Sequence, residues 1–312
     1  MNWLRPIANP ILLEYGIRMT RKQKEKFRSF ILHKYPEARV EKSILGKNIV
    51  IGDVEKADTL VVAHYDTPPR LPKWFMKHIT FWVFLGIPVI FYLLFNFLMR
   101  LPETLLSLSF DQQIFYYYAV AWSFAGLSIL YLLHLFGFTK LANLVNYNDN
   151  SSGVITALAL WKTHGSSNFA VVLVDNEEKL LLGSFAFARK YKKILDKKTI
   201  IVLDCIGQGK NANLYYCKKP TKISKWADGY FKIRAEKNIG STMTSLLKRT
   251  NLFSMSDHVP FAKYNHVLVL TDDEETKALT KIHTIDDNEI DYNNIYIIHK
   301  MLCYHIGAVY TL

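Results

Sequence analysis

The chain has 312 residues, half of them hydrophobic, which is enough for a sizeable core in one or two domains. Its net charge of +12 raises the question of nucleic acid or an anionic membrane as a partner. The lysines and arginines are scattered over predicted helices, without an arginine-rich or glycine-rich motif, which argues against nucleic acid. Three cysteines without the spacing of a zinc site or a disulfide framework are typical of a reducing compartment.

The first predicted strands lie at residues 48–52 and 60–63, and the second of them is followed by a histidine and an aspartate. The second strand is apolar throughout, as a central parallel strand would be. His64 and Asp66 follow it, and since positions two apart along a strand face the same side, both can point into one pocket. A histidine whose second nitrogen is held by a carboxylate is a common metal ligand. The alternative is an ordinary hydrogen-bonded pair.

Two long apolar runs follow, at residues 79–99 and 114–138, and neither contains a charged residue. About 20 apolar residues suffice for a helix to span the hydrocarbon core of a bilayer. Two such runs make a pair of buried core helices the weaker interpretation. The sequence therefore predicts a transmembrane hairpin inserted at residues 78–138, with helices at about 79–99 and 114–138.

Helices and strands alternate in the rest of the chain. The sequence predicts helices at residues 152–164, 183–195 and 288–312, and strands at 169–174, 199–203 and 266–270. Strands separated by helices indicate βαβ units. We expect an α/β fold with a mixed, largely parallel central sheet flanked by helices. Residues 1–77 and 139–312 would form this single domain, interrupted by the hairpin.

Acidic residues and a histidine lie where these elements begin or end. Asp149 precedes a predicted helix, where it could simply act as a cap. Glu177 and Glu178 follow one buried strand and Asp204 ends the next, while His283 precedes the last helix. Because α/β sheets carry their active sites at the carboxyl ends of the strands, these side chains are expected to converge.

The order of these elements resembles that of the co-catalytic di-zinc aminopeptidases, family twenty-eight of the metallopeptidases (clan MH). The shared features are the H-x-D element at His64, Asp149 in N-D-N-S-S-G, the Glu177–Glu178 pair, Asp204 and His283. The resemblance implies two zinc ions per chain. One would be held by His64 and Asp204 and the other by Glu178 and His283, with Asp149 shared between them.

The resemblance also implies an activity, a membrane-anchored zinc aminopeptidase that hydrolyses N-terminal residues of peptides. The two metals would activate a water, and Glu177 would be the general base that accepts its proton. Asp66 and Asp287 would orient the ligands His64 and His283. The sequence departs from the family pattern at Leu180, where a glycine is expected after E-E-K.

Two other readings stay open. Glutaminyl cyclases have a related fold but use one zinc and lack the first histidine element, so the presence of His64 argues against a single-zinc cyclase. A catalytically inactive binding module would be expected to have lost a ligand or the base, and every position is filled. The expected partners are a peptide substrate and the lipid bilayer, with no nucleic acid, and the oligomeric state is open.

The charges that flank the hairpin predict its orientation. Lysine and arginine near helix ends favour the cytoplasmic side. The flanks outside the hairpin contain Arg70, Lys73, Lys77 and Lys140. The chain begins without the pattern of a signal peptide. We therefore expect an integral membrane protein, in the plasma membrane, with its catalytic domain in the cytoplasm.

Overall fold

The computed structural model describes residues 2–77, 118, 142–165, 168–215, 245–249, 256–272 and 278–307. The chain divides into two compact units, Met1–Arg70 with Ala142–Leu312, and Leu71–Leu141. The predicted hairpin helices at 79–99 and 114–138 lie outside the described residues, except for Tyr118. Within the described ranges, no helix combines the length and apolarity needed to cross a membrane. The hairpin therefore stays a prediction.

The helices differ in length and in how they begin. In chain order they are α1 (Arg5–Asn9), α2 (Arg21–Lys34), α3 (Lys73–Lys77, in the smaller unit), α4 (Gly153–His164), α5 (Leu182–Lys190), α6 (Ala278–Lys281) and α7 (Tyr292–His305). Helix α2 begins with a capping box, in which Thr20 and Gln23 each accept a hydrogen bond from the other's main-chain nitrogen. In α7, Asp291 accepts a hydrogen bond from the main-chain nitrogen of Asn293 and so fixes the first turn.

One mixed sheet forms the centre of the larger unit. Its strands are β1 (Ala38–Lys42), β2 (Lys47–Ile51), β3 (Thr59–His64), β4 (Phe169–Val174), β5 (Thr199–Leu203), β6 (Asn211–Tyr215), β7 (Ser245–Arg249) and β8 (His266–Asp272). Their order is β1-β2-β4-β3-β5-β8-β6-β7. The central strands β4, β3, β5 and β8 are parallel, whereas β1, β2 and β6 join by antiparallel pairs. The predicted α/β class with a largely parallel sheet is confirmed.

The central strands are buried on both faces, which explains their unbroken apolar sequences. Val62 pairs with Val172 on one side and with Val202 on the other. These three valines belong to one hydrophobic core, whereas their neighbours Val61 and Val171 belong to the core on the opposite face. Helices α4 and α7 pack together on the second face. The sheet is therefore the middle layer of a three-layer domain.

Several predicted boundaries shift in the structure. The strand predicted to end at Gly52 ends at Ile51, because Gly52 has a φ of +90° and turns the chain away. The helix predicted over 183–195 ends at Lys190 and is followed by a separate turn over Leu195–Lys197. The helix predicted over 288–312 runs only over Tyr292–His305, and residues 308–312 lie outside the described ranges.

The larger unit closes on itself where the sequence of the smaller unit is inserted. Pro69 and Ala142 form an isolated antiparallel bridge, and the main-chain nitrogen of Asn143 donates to the carbonyl of Pro68 at 3.2 Å. The chain therefore leaves the larger unit and re-enters it at neighbouring points. The domain limits predicted at 77/78 and 138/139 stay predictions.

Candidate active site

The predicted site residues lie at the carboxyl ends of the parallel strands. His64 is the last residue of β3, Glu177 and Glu178 follow β4, and Asp204 directly follows β5. Since β3 pairs with both β4 and β5 in parallel register, these three strand ends are neighbours. This edge is where ligands bind in open α/β sheets.

Asp66 fixes the turn that carries the two glutamates. Its carboxylate accepts hydrogen bonds from the main-chain nitrogens of Glu177, at 3.0 Å, and Glu178, at 3.3 Å. Helix α5 then passes so close to the end of β4 that a Cβ atom at Gly183 would collide with the main chain of Asp175. Only glycine permits this approach. The two glutamates are thereby held at the strand end.

Asp287 fixes the loop that carries Asp149 in the same way. Its carboxylate accepts from the main-chain nitrogens of Asn148, at 2.7 Å, and Asp149, at 3.0 Å. Asn150 anchors the other side of Asp149, because its side-chain amide donates to the carbonyl of Leu203 at 2.8 Å. Asp149 is consequently buried, with its carboxylate between the two histidines.

Each carboxylate oxygen of Asp149 faces a different imidazole. Oδ1 lies 3.2 Å from Nε2 of His64, and Oδ2 lies 3.2 Å from Nε2 of His283. His64 Nε2 is also 3.6 Å from Asp204 Oδ1, and His283 Nε2 is 3.5 Å from Glu178 Oε2. The structure therefore forms two adjacent clusters, each with one imidazole, and Asp149 belongs to both.

The spacing within the clusters fits a tetrahedral metal. Ligand atoms bonded at 2.0–2.2 Å to zinc lie about 3.3–3.6 Å from one another, close to the 3.2–3.6 Å separations between these nitrogens and oxygens. Glu178 Oε1 is buried without a hydrogen-bond partner among the described residues. The donor set and its spacing suit a pair of divalent cations.

Glu177 adjoins the first cluster. Its Oε2 lies 4.0 Å from Nε2 of His64, and its carboxylate, His64 and Asp204 could together enclose one ion. The distances alone leave Glu177 either as a ligand or as a free base beside the ligands. Its expected role as the base stays a prediction.

The side-chain charges of the cluster depend strongly on one another. Burial would raise the pKa of Asp149, but hydrogen bonds from His283 and His64 keep it below its usual value. Burial raises the pKa of both Glu177 and Glu178 well above that of a free glutamate, and neighbouring carboxylates add to the rise. Buried carboxylates outnumber imidazoles here, so bound cations would relieve their mutual repulsion.

Two orienting contacts differ from the prediction. His64 Nδ1 lies 3.2 Å from the main-chain carbonyl of Asp66 and 3.7 Å from its carboxylate, so the closer contact is with the carbonyl. Asp287 does not hydrogen-bond His283, whose Nδ1 is buried without a partner among the described residues. The carboxylate of Asp66 instead accepts from the main chain of Glu177 and Glu178. That of Asp287 accepts from the main chain of Asn148 and Asp149.

Sequence reasoning assigned no site role to three further side chains near the ligands. Ser256 Oγ donates to Asp204 Oδ2 at 2.7 Å. Asp257 is buried nearby, and burial raises its pKa to about 7, with His64 opposing the rise and Asp66 and Asp204 adding to it. Arg18 is fully buried and donates to Ser151 Oγ at 3.0 Å. Ser256 and Asp257 open the sequence S-D-H-V-P-F at residues 256–261, which resembles a segment of the di-zinc aminopeptidases, whereas no motif marks Arg18.

The site opens into a cavity of about 290 Å³. The candidate ligands and Glu177 line it together with apolar side chains, which are Leu180, Leu181, Leu270, Leu279 and Ile282. A larger groove of about 940 Å³ runs along α2, but its charged lining contains neither histidine nor cysteine. The chemical groups therefore converge on the smaller cavity, whose lining combines polar ligands with apolar side chains.

Comparison with known proteins identifies relatives of this arrangement. A sequence model of Peptidase family M28 matches residues 145–305, which contain Asp149, both glutamates, Asp204 and His283. No curated protein matches the chain in sequence.

Solved structures share the fold at low identity. The LapA aminopeptidase of Legionella pneumophila matches 97% of this chain and 69% of its own, with a TM-score of 0.57 and 11% identity. A glutaminyl cyclase of Bacteroides thetaiotaomicron matches 98% of this chain and 97% of its own, with a TM-score of 0.58 and 16% identity. The glutaminyl cyclase of Macrostomum lignano matches 99% of this chain and 90% of its own, with a TM-score of 0.59 and 12% identity.

Proposed function

Because the chain belongs to peptidase family M28 and is therefore a metallopeptidase, we propose that it is a zinc aminopeptidase that removes N-terminal residues from peptides. One observation carries the proposal. The two oxygens of Asp149 each lie 3.2 Å from a different histidine nitrogen, the arrangement required of a carboxylate shared by two ions. The family implies zinc, and we propose two zinc ions per chain.

In this proposal His64, Asp204 and Asp149 hold one zinc ion, and Glu178, His283 and Asp149 hold the other. When bound, the ions supply Lewis-acid chemistry, polarising the scissile carbonyl and making a water more acidic. Asp66 and Asp287 keep the glutamate turn and the Asp149 loop in place through the main chain. These hydrogen bonds contribute to the arrangement of the ligands.

Glu177 moves the proton. It takes the proton from the attacking water as the new carbon–oxygen bond forms, and gives it to the leaving amine nitrogen as the carbon–nitrogen bond breaks. Burial and the neighbouring carboxylates raise the pKa of Glu177, which suits a group that must both accept and release a proton.

The apolar wall supports a preference for the first side chain of the substrate. Leu180, Leu270, Leu279 and Ile282 line the same cavity as the ligands, and its volume of about 290 Å³ is large enough for one side chain rather than an extended peptide. An aliphatic or aromatic N-terminal residue would bury its apolar surface there. Short peptides with such residues are the proposed substrates.

The leading alternative is a single-zinc enzyme like the glutaminyl cyclases. It is favoured by the two cyclase structures, which this chain matches over nearly their whole length. His64 argues against it, since this histidine is buried with its Nε2 between Asp149 and Asp204, as a first metal position requires. An inactive binding module would leave this complete set of ligands without a purpose.

Membrane anchoring is part of the proposal. It rests on the uncharged runs at residues 79–99 and 114–138. Pro69 and Ala142, which bridge within the larger unit, are close in space on either side of this inserted sequence. We place residues 1–77 and 139–312 in the catalytic domain and residues 78–138 in the hairpin.

The metal assignment is tested by zinc content and turnover. Wild-type protein should bind two zinc ions. Asp149→Ala should lose both, because one carboxylate serves both positions, whereas Glu177→Gln should retain both and lose nearly all hydrolysis of amino-acid amides. Asp196→Ala, which removes an exposed carboxylate, should change neither property. An active Glu177→Gln protein that has lost a zinc ion would contradict the assigned roles.

The substrate assignment is tested with matched peptides. A peptide with a free apolar N-terminus should be hydrolysed, and its N-acetylated form should not. Equal cleavage of both forms would indicate an endopeptidase. A peptide with N-terminal glutamine separates the alternatives, because cyclisation with release of ammonia would support the cyclase and release of free glutamine the aminopeptidase.

A further inference from the structure

Arg18 is a fully buried cation behind the candidate site. It lies in the segment between the π-helical turn Pro10–Glu14 and helix α2, outside the residues matched by the family model. Burying a guanidinium is costly unless its donors are satisfied. Its hydrogen bonds therefore show what this side chain does in the fold.

The guanidinium joins the two segments that carry the first histidine and the shared aspartate. Its Nε donates to the carbonyl of Tyr65, which lies between His64 and Asp66, and its Nη2 donates to Ser151 Oγ at 3.0 Å. Ser151 is two residues after Asp149. Arg18 thus spans the distance between the end of β3 and the Asp149 loop.

Other contacts hold Arg18 itself. Its Nη1 donates to the carbonyl of Tyr15 at 2.7 Å, and its main-chain nitrogen donates to Thr67 Oγ1 at 2.9 Å. The ring of Phe27 lies beneath the guanidinium, 5.3 Å from ring centroid to Cζ. Among the described residues, no carboxylate lies within ion-pair distance of Arg18. Its bonds go to carbonyls and a hydroxyl, which favours a positioning role over charge pairing.

We propose that Arg18 is a positioning residue of the metal centre, which sets the separation between His64 and Asp149 by tying Tyr65 to Ser151. This inference rests on the proposed function, since it assumes that these two side chains share an ion. A lysine cannot replace the arginine, because only the planar fork reaches all three acceptors in fixed directions.

The positive charge of Arg18 and its hydrogen bonds to Tyr65 and Ser151 have opposite expected effects on zinc affinity. A buried cation near the site repels a zinc ion, so removing its charge alone would strengthen zinc binding. Removing the tie would instead misalign the ligands, and loss of such an outer contact typically weakens metal binding about 10- to 100-fold. The sign of the change distinguishes the two roles.

The experiment measures zinc affinity of the full chain by competition with a chromogenic chelator, together with thermal unfolding of the metal-free protein. Arg18→Met removes charge and tie, and Arg18→Lys keeps the charge but removes the tie. Lys198→Met is the matched control, because Lys198 is a buried cation that donates to the carbonyls of Glu55 and Ala57, outside the site.

Both Arg18 variants should bind zinc about 10- to 100-fold more weakly than wild type, whereas Lys198→Met should lower the unfolding temperature and leave zinc affinity unchanged. Tighter zinc binding by Arg18→Met, or a change no larger than that in Lys198→Met, would overturn the proposal. If Arg18→Met does not fold, Arg18→Lys decides by the same criterion. Wild-type protein that binds no zinc would contradict the proposed function, whereas unchanged affinity in the variants contradicts only the role of Arg18.

Discussion

Five non-glycine residues with positive φ surround the candidate site. They are Asn176, Leu180, Leu181, Cys205 and His283, and they complete the set of such residues within the described ranges. A leucine in this conformation is strained, because its Cβ approaches the carbonyl oxygen. Strained residues persist where the surrounding structure holds them, often at functional sites. Here Asn176, Leu180 and Leu181 flank the glutamate pair after β4, Cys205 follows Asp204 after β5, and His283 is itself a candidate ligand.

Leu180 offers a test of this strain. It has a φ of +67° and is 62% exposed, so Leu180→Gly removes strain and sacrifices little buried surface. We expect the substitution to raise the free energy of unfolding by about 0.5–1 kcal/mol in chemical denaturation. The family pattern also favours glycine at this position.

Leu181 is the matched control for that prediction. It has a similar φ of +59° but is only 3% exposed. Leu181→Gly should therefore destabilise the protein by about 2 kcal/mol or more, since the lost burial outweighs the relieved strain. Destabilisation of the same size by both substitutions would show that strain at Leu180 is unimportant.

Individual residues could be predicted better than their contacts. The H-x-D spacing and the strand ends bring His64 toward the glutamates and Asp204, as parallel register requires. The same spacing suggests that Asp66 binds His64; its carboxylate lies 3.7 Å from His64 Nδ1, but its shorter hydrogen bonds go to the main chain of Glu177 and Glu178. Which partner a carboxylate takes depends on turns whose geometry no periodicity encodes. Arg18 is undetectable for a related reason, because its acceptors are mostly main-chain carbonyls.

Secondary-structure elements could be predicted from the sequence where they are buried. The central strands β3, β4 and β5 were predicted within one or two residues because they are apolar on both faces. Strand β1 was missed, since it lies at the sheet edge and its sequence, A-R-V-E-K, is mostly polar. Strand β6, N-A-N-L-Y, was missed because it lacks a long apolar run. The sheet is therefore wider than the sequence predicts.

The packing of helix α7 against α4 predicts a stability change with pH. His299 of α7 is buried, its ring 5.0 Å from that of Trp3, and its Nε2 lies 3.1 Å from Thr163 Oγ1 of α4. Burial, together with the nearby His164, lowers its pKa from 6.5 to about 4. Below pH 6.5 the unfolded chain gains a proton that the folded chain does not accept.

The free energy of unfolding should therefore fall as the pH drops from 6.5 to 4, by up to about 3 kcal/mol from this residue. His299→Gln, which can keep the bond to Thr163, should reduce that slope when unfolding is followed with urea at several pH values. His33→Gln alters an exposed histidine and should leave the slope unchanged. An identical slope in wild type and His299→Gln would disprove the contribution of His299.

At the scale of the whole molecule, charge is distributed unevenly along the sequence. The predicted hairpin at 78–138 contains Arg100 against Glu103 and Asp111, whereas the chain as a whole has a net charge of +12. Lysine and arginine residues near membrane helices favour the cytoplasmic side, and an anionic inner leaflet attracts basic domains. Because a hairpin crosses twice, the sequences before and after it share one side of the membrane. We therefore predict a cytoplasmic catalytic domain with residues 100–113 outside.

Single cysteines report this topology on intact cells. Cys205 and Cys303 are buried, so Cys217→Ser provides a background in which to introduce them. Ser107→Cys should react with a membrane-impermeant thiol reagent on intact cells. Ser166→Cys should react only after the cells are permeabilised, and its labelling then shows that the introduced cysteine is reactive. The physical reason is the excess of basic residues flanking the hairpin, which resists transfer across the membrane. Labelling of Ser166→Cys on intact cells, with Ser107→Cys protected, would reverse the orientation and put the peptidase on the outer face.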